Sequence, residues 1–168
     1  MKKAAGTQNK FVTLLAPIKA DLYKIAYCYV KNETNALEII SNTVYNAYLA
    51  FPKLRNQKYF KTWITRIVIN ESIAYLRHSV KTIPLYESHL NTAHETQVSS
   101  AERLDLYDAL ELLSPEERGI IILKYFQDMT FREISGITKI PENTIKTRHY
   151  RILKKLKGYL SDLEVSFS

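Results

Sequence analysis

Between Glu142 and Leu156 the chain concentrates side chains that suit contact with a polyanion. At about 100° per residue on a helix, Asn143, Lys146, Thr147, Tyr150, Arg151, Lys154 and Lys157 fall on one side, and Ile145, Ile152 and Leu156 form a narrow stripe on the other. The apolar side must pack on something. The polar side carries cations that meet phosphates, and Asn, Thr and Arg groups that reach base edges. A helix lying in a DNA groove needs that mixture. A basic amphipathic helix equally suits a membrane surface or a protein partner, so the preceding residues decide. Thr130 to Ile137 carries Phe131, Ile134 and Ile137 at core spacing, and Pro141 stands where a chain enters the first turn of a helix. Together they predict a helix-turn-helix over Met129 to Lys157.

A second candidate lies at residues 52–58. Lys53, Arg55, Asn56, Gln57 and Lys58 sit between Phe51 and Tyr59. Single-stranded nucleic acid takes rings for stacking, amides for base edges and cations for the backbone. From the loop alone, a solvated polar turn whose flanking aromatics are core is the stronger reading. Lys61, Arg66, Asn70 and Arg77 follow on a helical pattern and are either its DNA-facing residues or an ordinary solvated face.

Other chemistries find little support. Asp21, Asp105, Asp108 and Asp128 are dispersed, and no HExxH, glycine-rich phosphate loop or cysteine pair occurs. His89 and His94 lack partners at metal-ligand spacing and read as solvated, so neither a metal nor a cofactor is expected. The one cysteine, Cys28, lies in an apolar pattern and reads as a buried thiol, compatible with a reducing compartment. No apolar run approaches membrane-spanning length, so membrane insertion is not expected. Residues 1–19 begin with cations, but Thr7 to Lys10 interrupt and Pro17 closes the apolar run; this is a helix start rather than an export signal.

The elements that must position these residues are all helical. Glycine (4) and proline (5) are scarce in the 168 residues, and hairpin signals are few, giving an all-α chain. The net charge of +7 is unevenly spread: residues 1–80 hold 12 Lys+Arg against 4 Asp+Glu, residues 81–111 hold 2 against 6, and residues 112–168 hold 10 against 7. Two basic blocks around an acidic segment predict two small helical domains, residues 8–80 and 102–162, joined by a flexible acidic linker over 81–101.

Residues 11–30 repeat Leu14, Leu15, Ile18, Leu22, Ile25, Ala26 and Tyr29 at spacings of three and four, predicting one amphipathic helix. Asn32 or Thr34 is placed to cap the next, from about Asn35 to Phe51, with Ala36, Ile39, Ile40, Thr43, Val44, Ala47 and Tyr48 inward. Phe60 to Arg77 predicts a central helix with more than one apolar face, Trp63 acting as a core anchor rather than a stacking platform. Leu104, Tyr107, Ala109, Leu110 and Leu113 predict a helix, and Ser114-Pro115-Glu116-Glu117 a capped start to another, running to about Gln127.

Both halves resemble one family. LSPEERGIIILKYFQDMTFREISGITKIPENTIKTRHYRILKKLK is similar to the promoter-binding C-terminal domain of bacterial extracytoplasmic-function sigma factors. LYKIAYCYVKNETNALEIISNTVYNAY resembles that family's core-polymerase-binding helices, and FKTWITRIVINESIAYLR its helix for the melted promoter strand. The resemblance implies a cytoplasmic initiation factor rather than an enzyme, one that joins RNA polymerase core enzyme and directs it to promoter DNA. It implies that Glu38, Ser41, Asn42 and Tyr45 face the polymerase. Arg55, Asn56, Gln57, Lys58, Tyr59, Lys61, Arg66, Asn70 and Arg77 would serve the melted −10 strand. Glu142, Asn143, Thr144, Lys146, Thr147, Arg148, Tyr150, Arg151 and Lys154 would enter the −35 major groove. It further implies an acidic linker in the RNA-exit path and an anti-sigma factor as inhibitor, in some cases one held at the membrane. The chain departs from the family at Glu38 and Ser41, where Asp and Gln are usual, at Val44 and Ala74, and at Lys139 and Asn143, where Gly is frequent. The alternative is a stand-alone helix-turn-helix regulator, which would bind duplex DNA without polymerase.

Overall fold

A computed structural model of the chain describes residues 2–82 and 107–166, in two units divided at residues 78 and 79. The predicted linker beyond residue 82, His89, His94 and Leu104 lie outside the described residues. Every regular element among the described residues is helical.

The first unit comprises α1 (Lys2–Leu15), a 3-10 turn (Ala16–Ile18), α2 (Lys19–Val30), α3 (Glu33–Ala50) and α4 (Phe60–Thr82). The single helix expected over residues 11–30 is therefore broken. Pro17 has no N–H to donate, and its ring crowds the carbonyl four residues back, so the α-helix stops at Leu15 and restarts at Lys19. The apolar rhythm survives the break: Ile18, Leu22, Ile25, Ala26 and Tyr29 are buried, while Leu14 and Leu15 are only half-buried. α2 packs on α3. Ala26 and Ala36 are both wholly buried, and small residues on facing helices let the backbones approach. Leu22, Ile25, Ile39 and Ile64 fill the core, each worth about 2 kcal/mol in apolar burial.

Local chemistry sets the helix ends. Lys31 adopts a left-handed φ of 48° and its N–H returns to the Tyr27 carbonyl at 2.8 Å. Asn32, rather than Thr34, caps α3: its Oδ1 accepts from the Asn35 N–H at 2.9 Å, so the helix begins at Glu33. The buried Thr43 and Ser72 hydroxyls donate to the carbonyls of Ile39 and Val68, each at 2.7 Å. Asn46 Nδ2 donates to Glu71 at 2.8 Å, tying α3 to α4. Tyr48, expected inside, is exposed along one side, and Ile69 joins the core in its stead, beside the expected Phe60 and Val68.

The second unit contains helical residues 107–111 (α5), α6 (Pro115–Ile121), α7 (Phe131–Thr138) and α8 (Glu142–Ser166). The Ser114 box forms as its residues require: Glu117 N–H donates to Ser114 Oγ at 3.2 Å, and Ser114 N–H to Glu117 at 2.9 Å. Past Ile121 the helix widens into a π turn over Ile122–Phe126, where the sequence pattern predicts plain α-helix. Met129 N–H closes it on the Leu123 carbonyl at 3.1 Å, and Asp128 absorbs the reversal at φ 51°. Leu110, Leu113, Ile120, Leu123, Ile134, Ile137, Ile145 and Ile152 form the core. Phe131, expected in it, is half-buried. Arg118 is buried, with Nε donating to the Leu110 carbonyl at 2.9 Å.

Between α7 and α8 the chain turns at Lys139, φ 62°, whose N–H returns to the Ser135 carbonyl at 2.9 Å. A side chain there is strained because its Cβ crowds the following carbonyl; glycine feels none of this. Lys139→Gly is expected to stabilise the second unit by about 0.5–1 kcal/mol, the relief of strain less the added freedom of the unfolded chain. Urea unfolding followed by circular dichroism checks this, and a loss of stability would show that Lys139 contributes more than the turn costs.

Candidate nucleic-acid interface

Thr130 caps α7 with a second reciprocal box: Glu133 N–H donates to Thr130 Oγ1 at 3.3 Å and Thr130 N–H to Glu133 at 2.8 Å. α8 starts when the Ile145 N–H reaches the Pro141 carbonyl at 3.0 Å. The packing of α8 on α6 and α7 then fixes its rotation. Ile145, Ile152 and Leu156 are buried, and Asn143, Thr144, Lys146, Thr147, Arg148, Tyr150, Arg151 and Lys154 are exposed.

These residues do not form one uniform face. Asn143, Thr147, Tyr150, Arg151 and Lys154 lie opposite the buried stripe, with Tyr150 exposed at 72 %. Thr144 and Arg148 share a flank. Glu142 is half-exposed, and its carboxylate holds Lys146 Nζ at 2.7 Å, so that cation meets a neighbouring anion before any phosphate. Thr147 Oγ1 donates back to the Asn143 carbonyl at 3.0 Å and keeps an acceptor lone pair outward.

Behind this helix lies a cluster that the sequence pattern does not reveal. Tyr125 OH and His149 Nε2 are 2.9 Å apart, with their rings stacked at 5.7 Å. Phe131 meets His149 edge-on at 5.1 Å, and Lys124 Nζ lies 4.8 Å from the Phe131 ring centre while donating to the Met129 carbonyl at 3.3 Å. The π turn carries Lys124 and Tyr125, so it brings the end of the α6 segment against both helices of the helix-turn-helix.

In the first unit, the loop between Phe51 and Phe60 presents Arg55, Asn56, Gln57, Lys58 and Tyr59, all exposed. Asn56 Oδ1 accepts from the Lys58 N–H at 3.0 Å and shapes the Gln57–Tyr59 turn, so part of this amide is spent on structure. Phe51 and Phe60 are buried and their rings are committed to the core, as the plainer reading of the loop expects, but Tyr59 stands open at 64 %. On α4, Arg66, Asn70 and Arg77 are exposed and share one face by their spacing of four and seven, beside a half-buried Trp63. Trp63 is thus neither sealed in the core nor free of it; it leans on Phe60 at 5.8 Å. Lys61 falls on the other side of α4 and lies 3.9 Å from Asp21, so the structure separates it from that group.

On α3, Glu38, Ser41, Asn42 and Tyr45 are exposed on one face. Leu49, exposed at 58 %, shares this face, and Leu37, exposed at 51 %, lies at its edge; pattern reading passes over both. Glu38 adds to the effect of burial in raising the Tyr75 phenol above its ordinary range. Among the described residues no cluster of His, Cys, Asp and Glu is placed to hold a metal ion, and no helix is long and apolar enough to cross a membrane.

A helical unit ending in a basic helix-turn-helix, with a second unit exposing a cationic loop, defines a two-domain helical DNA-binding factor. Residues 14–82 match the model of Sigma-70 region 2, and residues 103–156 that of Sigma-70 region 4. The chain is 32 % identical to the RNA polymerase sigma factor SigV of Bacillus subtilis over 99 % of its own length and 100 % of that protein. It is 27 % identical to the extracytoplasmic-function sigma factor SigW of the same organism, covering 94 % of this chain and 92 % of that one. In fold it is similar to the sigma factor RpoE solved with the anti-sigma factor NepR from Bartonella quintana (TM-score 0.75, 21 % identity, 90 % of this chain and 97 % of that one). CnrH, solved with the cytosolic domain of CnrY, has a similar fold (TM-score 0.71, 21 % identity, 96 % and 94 %). The chain belongs to the RNA polymerase sigma factors, of the extracytoplasmic-function type. It is an initiation factor that joins the polymerase core enzyme and directs transcription from promoters.

Burial first, and then the Lys124 ammonium, hold the His149 imidazolium below its ordinary pKa. In the unfolded chain the ring titrates near its ordinary value, so falling pH protonates the unfolded state first. The stability this ring contributes is complete above about pH 6.5 and is lost as pH falls through that value toward the lower folded one. Between pH 7.5 and 5.5 the melting midpoint of the second unit should therefore drop more for the wild type than for His149→Gln. Circular dichroism reads the melt, and Trp63, the only tryptophan, reports the first unit separately. Parallel pH profiles for the two proteins would contradict this.

Proposed function

We propose that α8 enters the major groove of the −35 element, while residues 55–59 and the Arg66, Asn70, Arg77 face of α4 take the melted −10 strand. The observation that carries the first part is the division of α8. Three buried residues fix its phase, and a continuous exposed face of amide, hydroxyl, phenol and cationic groups is left outward. On the α3 face, Leu37, Tyr45 and Leu49 supply apolar area and Glu38, Ser41 and Asn42 supply polar contacts, a composition suited to the polymerase core enzyme. The working site is the cytoplasm, where that polymerase operates.

An inhibitory partner belongs to the same reading. Two relatives of similar fold were solved in complexes, one with an anti-sigma factor and one with a cytosolic domain. An anti-sigma factor for this chain would cover surfaces that must otherwise meet polymerase or DNA. Where such a partner carries a membrane segment of its own, the sigma factor is held at the membrane without inserting.

Run-off transcription on genomic fragments tests the whole reading. Purified core polymerase with this chain should yield discrete transcripts that core alone does not. Failure to bind core, with tight binding to duplex half-sites, would put the stand-alone regulator ahead. On a promoter so recovered, Arg151→Ala and Lys146→Ala should weaken holoenzyme binding by roughly 1–3 kcal/mol for a bidentate base contact, or lower the salt slope by about one for a phosphate contact. Of the two, Lys146→Ala should show the smaller effect, because Glu142 already neutralises part of that charge. Unchanged binding by both variants would remove α8 from the groove.

A further inference from the structure

We infer that Phe11 is a positioning residue for capture of the melted promoter strand, although it precedes the residues matched by the region 2 model. The inference rests on the reading of residues 55–59 as the strand-capturing loop.

Phe11 is 2 % exposed and touches three rings edge-on: Phe51 at 5.3 Å, Phe60 at 5.6 Å and Tyr48 at 5.5 Å. Phe51 and Phe60 are the two ends of the loop, and they meet each other at 5.7 Å. The loop's exposed residues have little backbone of their own to hold them. Leu54 N–H returns to the Phe51 carbonyl at 3.0 Å, and Tyr59 N–H to the Asn56 carbonyl at 3.2 Å. What brings the two ends together is the ring cluster, and Phe11 is the member that contacts both. Edge-to-face geometry is directional, so an aliphatic side chain of similar volume fills the space without setting the angle of either ring. From Phe60 the contact continues to Trp63, one turn from Arg66 on the α4 face. α1 brings Phe11 to this place because Pro17 ends it and turns the chain into α2. A helix outside the DNA-facing surface thus sets the spacing between the exposed loop and the exposed face of α4.

The test uses holoenzyme assembled from core polymerase and the full chain, on a promoter recovered by run-off transcription. 2-Aminopurine in the non-template strand of the −10 element reports the unstacked base. Phe11→Leu keeps the core filled and is expected to slow the fluorescence rise roughly tenfold, as a misplaced contact does when geometry limits a step. Core affinity should stay as in the wild type. Amide hydrogen exchange at residues 54–59 should accelerate, while that of Leu22 to Tyr29 should not. An unchanged fluorescence rise, or a loss of core affinity equal to the loss in opening, would overturn the inference; the second outcome would make Phe11 ordinary packing. Arg55→Ala with Lys58→Ala separates the inference from its premise. If that variant opens promoters normally, the loop is not the capturing element. If it is defective while Phe11→Leu is normal, only the role of Phe11 falls.

Discussion

The rotational phase of α8 is the constraint on which the second unit depends. Ile145, Ile152 and Leu156 recur at intervals of seven and four, and all three are buried. A slip of one residue turns a helix by about 100° and would carry Lys146 or Lys157 toward the core. Burying an ammonium without a partner costs several kcal/mol, more than any single exposed contact can return. Core packing and the exposed cationic surface are therefore two consequences of one periodicity. The outward residues are free to vary only while the stripe is kept.

The surrounding elements set where that phase points. The Thr130 box and the left-handed Lys139 fix how α7 leads into α8. The π turn brings Lys124 and Tyr125 against Phe131 and His149, bracing the helix-turn-helix from behind. Wide helical turns have poorer packing along their own axis and persist where they re-aim side chains. In the first unit the problem is different, because a loop has no ladder of backbone bonds to hold it. Rings do the same work there, with Phe11, Phe51 and Phe60 meeting nearly at right angles.

Features written into neighbouring residues were legible in the sequence. Asn32 and Ser114 act through hydrogen bonds within four residues, Pro115 through its fixed φ at the first helical position, and the stripe of α8 is a local period. Features that depend on distant partners were not. Nothing between Ile122 and Phe126 marks a π turn, since its widening is stabilised by α7 and α8. The break at Pro17 was visible as a residue but hidden by the rhythm of leucines and isoleucines that continues across it. Tyr48 sits on the inward side by count yet at the margin of the core, where Phe11 meets it edge-on. Among candidate site residues, the sequence placed Lys61 with Arg66 and Asn70, whereas helical register puts it on another side, beside Asp21. Glu142 and Lys146 are four apart, so their pairing was within reach of the sequence.

The exposed character of the candidate contacts bears on how such a protein works. Each cation on α8 lies in water, where a single ion pair is worth less than about 1 kcal/mol and is screened beyond roughly 8 Å in physiological salt. Lys146 spends part of its charge on Glu142, and Thr147 one hydrogen bond on its own helix. Asn56 likewise gives an acceptor to the loop it belongs to. A surface of this kind, on either unit alone, discriminates weakly. Once a polymerase holds both units, the second DNA contact becomes intramolecular, and its effective concentration replaces affinity that the individual side chains do not provide. On the proposed placement, weak separate contacts have a consequence of their own: the chain without polymerase would release DNA readily, and promoter choice would require both units to find their elements at the spacing the polymerase imposes.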